Sequence, residues 1–214
     1  VFRSEFAVVE MGMNHAGEIT ELVKIADPDV VICTMVGTAH IEFFGTRKKI
    51  AEAKAEIYNE SRPDTVRIFN QDQELTFDMM YPIAKRYPDS RMLSFSAFND
   101  EADVHFKIVE LRMKEIKISG IIAGHRGEAS IPVFGKQNLI NLMAAATIAY
   151  VCKISPEAIW KALPNCKTAW GRNQFIATHS HAEILFDGYN SNPDSMRALL
   201  ENIPQLQCPG KKIG

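Results

Sequence analysis

Short apolar runs alternate with segments of helical periodicity in the first part of the chain. The apolar runs predict four strands, and the segments between them predict helices at residues 17–26, 47–59 and 74–86. The predicted strands lie at residues 6–9, 30–34, 65–69 and 92–95. Strands that alternate with helices are typical of a mostly parallel sheet, because parallel neighbours need a crossover connection. The pattern therefore predicts an α/β fold.

The pattern changes after Asn99. Beta-type segments at residues 104–111, 114–122 and 128–133 follow one another without helices, which predicts an antiparallel meander appended to the parallel sheet. We assign the glycines of this region to its turns, namely Gly120, Gly124 and Gly127.

The remaining segment is predicted to contain helices and a hairpin. Ser155 suits the N-cap of one helix and Pro156 its first position. The predicted helices span residues 139–152, 156–163 and 193–202, and the hairpin pairs residues 174–178 with 182–186. A domain boundary is expected near Gly171, which divides the chain into residues 1–170 and 171–214.

Composition and charge exclude several classes of protein. The chain has 24 basic and 26 acidic residues, a formal net charge of −2, so electrostatics give no case for a nucleic-acid partner. Membrane insertion and a secretory signal are not expected, since no sufficiently long apolar run is found, and we expect a cytoplasmic protein. The four cysteines are widely spaced and fit reduced thiols better than disulfides or a zinc site.

Polar residues follow several predicted strands. Glu10 comes after the first strand, His40 follows the second, and Asp187 follows the apolar end of the hairpin. In open α/β sheets, ligands bind outside the carboxyl ends of the strands. These positions therefore predict the rim of an active site.

Each candidate also has an ordinary structural interpretation. Glu10 is either an acid that caps a strand end or forms a salt bridge, or it is a Mg²⁺ ligand. His40 is either a hydrogen-bonded loop histidine or a functional residue. Lys54 is a solvated helical lysine paired with neighbouring acids, or a carbamylated lysine that presents anionic oxygens to a metal. His179 and His181 match metal-ligand spacing weakly, and we interpret them as part of a solvated turn.

Five segments resemble, in order, the motifs of the Mur ligase family. They are residues 10–19 (EMGMNHAGEI), 39–45 (AHIEFFG), 53–57 (AKAEI), 138–146 (NLINLMAAA) and 187–196 (DGYNSNPDSM). The first and last are similar to the branch of the family that adds D-alanyl-D-alanine. The chain is identified as a member of that branch.

The resemblance implies a fold and an activity. It implies most of a central ATPase domain followed by the start of a Rossmann-like carboxy-terminal domain. In this family ATP phosphorylates the carboxylate of UDP-N-acetylmuramoyl-tripeptide, and the amine of D-alanyl-D-alanine attacks the resulting acyl phosphate. The implied protein is a ligase of peptidoglycan synthesis. This synthesis builds the cell wall and is thereby required for cell shape and cell division.

The resemblance also implies roles for particular residues. Glu10, His40 and a carbamylated Lys54 would hold Mg²⁺ and form the catalytic group. The implied nucleotide and substrate contacts are Asn138 and Asn141 near adenine, Arg172 at the phosphates, Asp187 on ATP, and Tyr189, Asn190 and Asn192 at the interdomain site.

The chain also departs from the family's pattern. The family's glycine-rich G-x-x-G-K-T loop does not occur in these residues, Ala55 replaces a common glycine, and residues 70–73 contain glutamine where a second aspartate is common. We therefore expect a truncated ligase that is inactive by itself. Two alternatives stay open: a Mur-type ligase for another amino acid, and a non-catalytic module that retains the fold.

Overall fold

A computed structural model describes residues 4–180, 182–205 and 210 of the chain. The strands are β1 (Val30–Cys33), β2 (Val66–Asn70), β3 (Met92–Ser96), β4 (Val104–Leu111), β5 (Ile116–Ile122), β6 (His125–Ile131), β7 (Gln174–Ala177) and β8 (Glu183–Phe186). The helices are α1 (Glu18–Ala26), α2 (Ile41–Phe44), α3 (Arg47–Asn59), α4 (Glu74–Phe77), α5 (Met80–Arg86), α6 (Asn138–Val151), α7 (Pro156–Ala162) and α8 (Pro193–Asn202). None of the helices in these ranges combines the length and the apolar character that crossing a membrane requires.

The strands form a mixed sheet and a separate hairpin. The order in the sheet is β1–β2–β3–β4–β5–β6, and β7 pairs with β8. The β1–β2 and β3–β4 pairs are parallel, whereas β4–β5 and β5–β6 are antiparallel. The predicted α/β class with an appended antiparallel meander is confirmed.

The chain divides into two compact units. The first contains residues 4–69 and 73–92, and the second contains residues 70–72 and those from 93 onward. In the first unit, α1 and α3 bury apolar side chains together with β1. Its core includes Ile19, Val23, Val31, Ile50, Tyr58, Phe69 and Ile83. Burial of these side chains supplies the main stabilising free energy of the unit.

Tyr58 of α3 links the helix to two strands of the first unit. Its hydroxyl accepts a hydrogen bond from the Cys33 amide at 2.7 Å and donates one to the Ile68 carbonyl at 2.7 Å. The ring is fully buried and stacks on Phe69. One side chain thus fixes the position of α3 against both β1 and β2.

The stability of the chain is expected to fall at alkaline pH because of this site. Burial raises the pKa of Tyr58 well above its usual value, and burial also raises the pKa of the Cys33 thiol. Each group whose pKa is raised in the folded protein contributes its full stabilisation at pH values below the pKa that it has in the unfolded chain. That pKa is about 10 for tyrosine and about 8.5 for cysteine. Above those values the unfolded state binds fewer protons, so the free energy of unfolding decreases as pH rises.

Urea unfolding at pH values between about 8 and 11 tests this expectation. Tyr58→Phe should lower stability at about pH 8 and should show a shallower decline above about pH 10 than the parent chain. An identical slope in the two proteins would contradict the assignment to Tyr58.

Arg67 of β2 is the largest fully buried side chain of the first unit. Its guanidinium donates hydrogen bonds to the Ser90 hydroxyl and stacks 4.1 Å above the Tyr87 ring. It also donates to backbone carbonyls around the end of α3, those of Tyr58, Ser61, Arg62, Pro63 and Thr65. Burial lowers the pKa of Arg67. The hydrogen-bonded carbonyl dipoles, including those at the negative end of α3, balance the positive charge of Arg67.

In the second unit, one face of the meander is apolar. Phe106, Ile118 and Ile122 are fully buried, and Trp160 of α7 lies 5.0 Å from the Phe106 ring. The assignment of three glycines to turns is wrong for two of them, because Gly120 lies in β5 and pairs with Gly127 in β6.

These two glycines allow neighbouring groups to lie very close to the backbone of β5 and β6. A Cβ at Gly120 would lie 1.9 Å from the His105 carbonyl oxygen, and one at Gly127 would lie 2.5 Å from the Trp160 ring. Only Gly124 has the turn role that the sequence suggested, with a φ of +85°.

Two predicted elements differ in the structure. Residues 6–9 do not form a strand, and Val8 is 87% exposed. An apolar run forms a strand only when a neighbour satisfies its backbone groups, and in the described chain this run has no such neighbour. The predicted helix at residues 74–86 is broken into α4 and α5, because Pro82 has no N–H to donate to the carbonyl four residues earlier.

Candidate functional site

Glu10 and Lys54 line the same cavity in the first unit. The cavity has a volume of about 400 Å³, and Cys33 and Thr34 also contribute to its wall. Lys54 is half-buried and Glu10 is exposed. Within residues 4–180, 182–205 and 210, neither charged group has a hydrogen bond or an ion pair. Two opposite charges therefore face one space and are available to a polar ligand.

The fold of α3 explains where Lys54 lies. Thr46 caps the helix by accepting a hydrogen bond from the Lys49 amide, and Ile50 and Ala53 are buried. Lys54 precedes Tyr58 by four residues, so both side chains lie on the helix face that meets β1. The pairing of Lys54 with neighbouring acids, one of the two interpretations left open by the sequence, is not found among the described residues.

Cys33 lies beside Lys54 but is not suited to act as a nucleophile. Burial raises the pKa of its thiol, and the nearby Lys54 ammonium only partly opposes this. A neutral thiol is a weak nucleophile. Cys33 is therefore a packing residue of the cavity, as expected for a reduced thiol; Cys152 and Cys166 are half-buried and free, and Cys208 lies outside the described residues.

Two glutamates hold the loop between Glu10 and α1. The Glu18 carboxylate accepts hydrogen bonds from the amides of Asn14 and His15, at 2.6 and 3.1 Å. These bonds, the Asn14 amide first, lower the pKa of Glu18. Glu56 accepts hydrogen bonds from the Gly17 amide at 2.7 Å and from both the amide and hydroxyl of Thr20. Negative side chains at a helix N-terminus satisfy amides that lack intrahelical partners.

These roles were not assigned from the sequence. Glu18 and Glu56 occur within the recognised motifs, but only the position of Glu18 in the first turn of a helix gave a local signal. The contact between Glu56 and Gly17 joins residues 39 positions apart, which periodicity does not reveal.

Replacing Glu56 by alanine is expected to reduce the free energy of unfolding by about 2–3 kcal/mol, because three hydrogen bonds to a charged acceptor are lost. Glu52→Ala provides a matched control, since Glu52 is an exposed glutamate on the same helix. Its effect should stay within about 0.5 kcal/mol. Urea unfolding measures both, and equal losses would contradict the role of Glu56.

His40 is not placed with Glu10 and Lys54. It is exposed, has a φ of +65° before α2, and its ring lies 6.3 Å from the Phe43 ring. The centre of the His15 ring lies 5.6 Å from the centre of the same Phe43 ring. In the part of the chain that the structure describes, His40 does not line the cavity.

The donors of the cavity fit a hard metal ion in part. Carboxylate and carbamate oxygens suit Mg²⁺, so Glu10 and a carbamylated Lys54 are chemically suitable, whereas an unmodified lysine is not. In the described ranges, no group of three or more histidine, cysteine or acidic side chains is arranged so that it could hold a metal ion. Metal binding by the three predicted residues stays a prediction.

In the second unit, Asn138 and Asn141 lie at the start of α6. Asn138 is buried, and its amide donates a hydrogen bond to the Phe134 carbonyl at 2.6 Å. Asn141 donates to the Asn138 side-chain oxygen at 3.4 Å and is exposed. Asn138 thus anchors the helix, and Asn141 presents its remaining polar atoms to solvent.

Arg172, Asp187 and Tyr189 come together around the β7–β8 hairpin. The Arg172 guanidinium lies 4.8 Å above the Tyr189 ring, and Asp187 accepts a hydrogen bond from the Asn173 amide. The Tyr189 amide donates to the Gly171 carbonyl. The structure therefore groups three of the residues predicted to contact nucleotide.

The other two predicted residues of this segment differ from each other. Asn192 caps α8 by accepting a hydrogen bond from the Ser195 amide, and the Ser195 hydroxyl accepts one from the Asn192 amide. Asn190 is exposed. His179 is exposed in the turn between β7 and β8, as expected, and His181 lies outside the described residues.

Comparison with known proteins places this arrangement in a family. Residues 2–149 match the Mur ligase middle domain. The chain belongs to the Mur ligase family. The resemblance identified from the motifs is thus confirmed, and the cavity between Glu10 and Lys54 lies within the matched domain.

Curated Mur ligases are similar over nearly the whole chain. The UDP-N-acetylmuramoyl-tripeptide–D-alanyl-D-alanine ligase of Bacillus subtilis is 33% identical over 98% of this chain and 44% of its own length. The Escherichia coli enzyme of the same name is 27% identical over 98% of this chain and 45% of its length. The chain therefore spans less than half the length of these relatives.

Solved Mur ligase structures have the same fold. MurF from Acinetobacter baumannii superposes with a TM-score of 0.80 and 32% identity, covering 91% of this chain and 41% of that one. MurF ligase from Thermotoga maritima, solved in complex with ADP, has a TM-score of 0.78 and 25% identity, covering 91% and 43%.

Proposed function

We propose that this chain is part of an ATP-dependent ligase that joins D-alanyl-D-alanine to UDP-N-acetylmuramoyl-tripeptide. The names of the relatives in Bacillus subtilis and Escherichia coli support this substrate assignment. The observation that carries the proposal is that Glu10 and Lys54, which belong to two family motifs and have no charged partner among the described residues, line one cavity. The reaction would belong to peptidoglycan synthesis and would take place in the cytoplasm.

ATP would supply the phosphoryl group that converts the tripeptide carboxylate to an acyl phosphate, and Mg²⁺ would neutralise charge on that group. Phosphoryl transfer depends on positioned charges more than on covalent chemistry by the protein. Glu10 and carbamylated Lys54 would hold the metal from the cavity wall, and His40, which does not line the cavity in this structure, would have to approach it to complete the predicted set. Glu56 and Tyr58 would keep the Glu10 loop and Lys54 in place through the hydrogen bonds described above.

The nucleotide contacts are proposed in the second unit. Arg172 has a guanidinium whose described contact is the Tyr189 ring, so its donors are available to a phosphate. Asn138 and Asn141 would border adenine, and Asp187 would contact ATP. Tyr189, Asn190 and Asn192 would shape the site from the carboxy-terminal domain, for which we propose residues 171–214, with residues 1–170 in the central domain.

Phosphate release from ATP tests the proposal in a protein that includes this chain and the rest of a ligase. Release should require UDP-N-acetylmuramoyl-tripeptide and should increase when D-alanyl-D-alanine is added. Replacing D-alanyl-D-alanine by a single charged amino acid should give no increase in phosphate release. Release that depends on the amino acid instead would identify a different Mur-type ligase, and no release with any acceptor would indicate a non-catalytic module.

A further inference from the structure

The outer face of the meander contains a second cavity, separate from the residues of the family motifs. Its volume is about 530 Å³, large enough for a small organic ligand. The side chains that matter for its chemistry are Asp100, His105, Lys107, Ser119, Arg126 and Glu128.

The strand register places these side chains in two adjacent rows. Lys107 of β4 is opposite Ser119 of β5, which is opposite Glu128 of β6. In the next row, His105 is opposite Ile121, which is opposite Arg126. Cross-strand neighbours share one face of a sheet, and alternate residues lie on the other face. The polar rows therefore face away from Phe106, Ile118 and the Trp160 ring.

His105 lies at the inner end of this face. Its side chain is 3% exposed, and Nδ1 lies 2.8 Å from the Ser96 carbonyl oxygen. Since a carbonyl only accepts, Nδ1 carries the proton, and Nε2 of the neutral ring is a hydrogen-bond acceptor. Nε2 is buried and has no hydrogen-bond partner among the described residues. An unsatisfied buried acceptor costs free energy, which a ligand with a hydroxyl group would recover.

Two cations, Lys107 and Arg126, line the cavity. Neither Lys107 nor Arg126 has a side-chain hydrogen bond or an ion pair within the described ranges. Of the two acids in the lining, Glu128 is paired with Lys117 at 3.4 Å, and Asp100 is exposed. Lys107 lies directly opposite Ser119, and Arg126 lies one row away on β6, so two cations and a hydroxyl line the same cavity and form a donor set suited to a phosphate. The acidic oxygens at the rim are acceptors for hydroxyl groups.

We infer that this face binds a small phosphorylated sugar or polyol. The phosphate would lie between Lys107 and Arg126, near Ser119. The hydroxyl groups would donate to Nε2 of His105 and to the carboxylate of Asp100. The site does not depend on the ligase reaction, because none of its residues belongs to the proposed catalytic or nucleotide groups.

Isothermal titration of the 214-residue chain with glucose 6-phosphate, inorganic phosphate and glucose tests the inference. Glucose 6-phosphate should bind with a Kd below about 1 mM, inorganic phosphate more weakly, and glucose more weakly still. Lys107→Gln and Arg126→Gln should each weaken glucose 6-phosphate binding about tenfold, because each removes a charged hydrogen bond. Both residues are exposed, so circular dichroism should show an unchanged fold.

Arg112→Gln is the matched control. Arg112 is an exposed arginine next to β4 that is ion-paired with Glu110 and Glu115 and does not line the cavity. Its replacement should leave affinity unchanged. In histidine-labelled protein, the ¹⁵N resonance of His105 Nε2 should shift as glucose 6-phosphate is added.

Three results would overturn the inference. The first is that glucose 6-phosphate shows no saturable binding up to about 10 mM. The second is that Arg112→Gln loses as much affinity as Lys107→Gln and Arg126→Gln. The third is that binding saturates while the ¹⁵N resonance of His105 Nε2 does not shift. Equal affinity for inorganic phosphate and glucose 6-phosphate would overturn the assignment of a sugar or polyol and leave a simple phosphate site.

Discussion

Replacing Lys54 by alanine is expected to reduce ligation about 10²- to 10³-fold in a ligase that includes this chain, the usual cost of removing an electrostatic contact from a transition state. Lys54 is half-buried in the cavity with Glu10 and has no described partner, so its loss should remove function more than folding. Added formate or acetate should restore part of the activity if a carbamate oxygen pair is the functional group. Dipeptide-dependent phosphate release measures both effects.

Lys48→Ala is the control for this experiment. Lys48 is an exposed lysine near the start of the same helix, and its replacement should leave activity unchanged. Urea unfolding of the two variants separates loss of folding from loss of function. Unchanged ligation in Lys54→Ala would remove the carbamate assignment. Loss of ligation without any rescue by small carboxylates would show that Lys54 acts through its ammonium instead.

Replacing Arg67 by methionine is expected to lower the free energy of unfolding by about 3–5 kcal/mol, among the largest effects of a single substitution. Methionine fills much of the volume but donates no hydrogen bond. The carbonyls of Tyr58, Ser61 and Thr65 would then lose a donor, and each unsatisfied buried acceptor costs about 1–3 kcal/mol. Arg67→Lys should also destabilise, since an ammonium cannot reproduce the planar fork.

Arg86→Met is the matched control for Arg67. Both guanidinium groups lie over the Tyr87 ring, at 4.1 Å for Arg67 and 5.3 Å for Arg86, but Arg86 is exposed. Arg86→Met should cost less than about 1 kcal/mol. Urea unfolding measures both variants. Equal losses would assign the stabilisation to the aromatic contact and contradict the role of the carbonyl network.

The elements that were predicted well are those with strong local patterns. Helix α3 was expected at residues 47–59 and spans Arg47–Asn59, and α8 was expected at 193–202 and spans Pro193–Asn202. Apolar periodicity and capping residues act within one or two turns, so the sequence contains them directly. Residues 6–9 have an equally apolar pattern, but a strand also requires a partner, which a local pattern does not specify.

Features that depend on distant residues were missed. Arg67 is a charged residue in a strand, which a sequence pattern assigns to an exposed position; its burial depends on carbonyls around the end of α3 and on Ser90. Gly120 and Gly127 resembled turn glycines because their need for space comes from His105 and Trp160 on other elements.

The candidate site was predicted in part. The motifs identified Glu10 and Lys54, which the fold brings to one cavity, but they did not show that His40 lies apart from it in this conformation. Nor did they show that Glu56 holds the loop before α1. Motifs identify residues by type and spacing, whereas contacts across tens of residues depend on the assembled fold.

Helix α3 has a consequence for how the chain can change during evolution. Lys54, Glu56 and Tyr58 are alternate residues, and they respectively face a cavity, hold a loop and join two strands. An insertion of one residue before Lys54 would rotate these three by about 100° relative to the turns before it. The length of the helix upstream of Tyr58 is therefore under stronger constraint than the identity of its exposed residues. Homologous sequences should show substitutions there but no insertions or deletions.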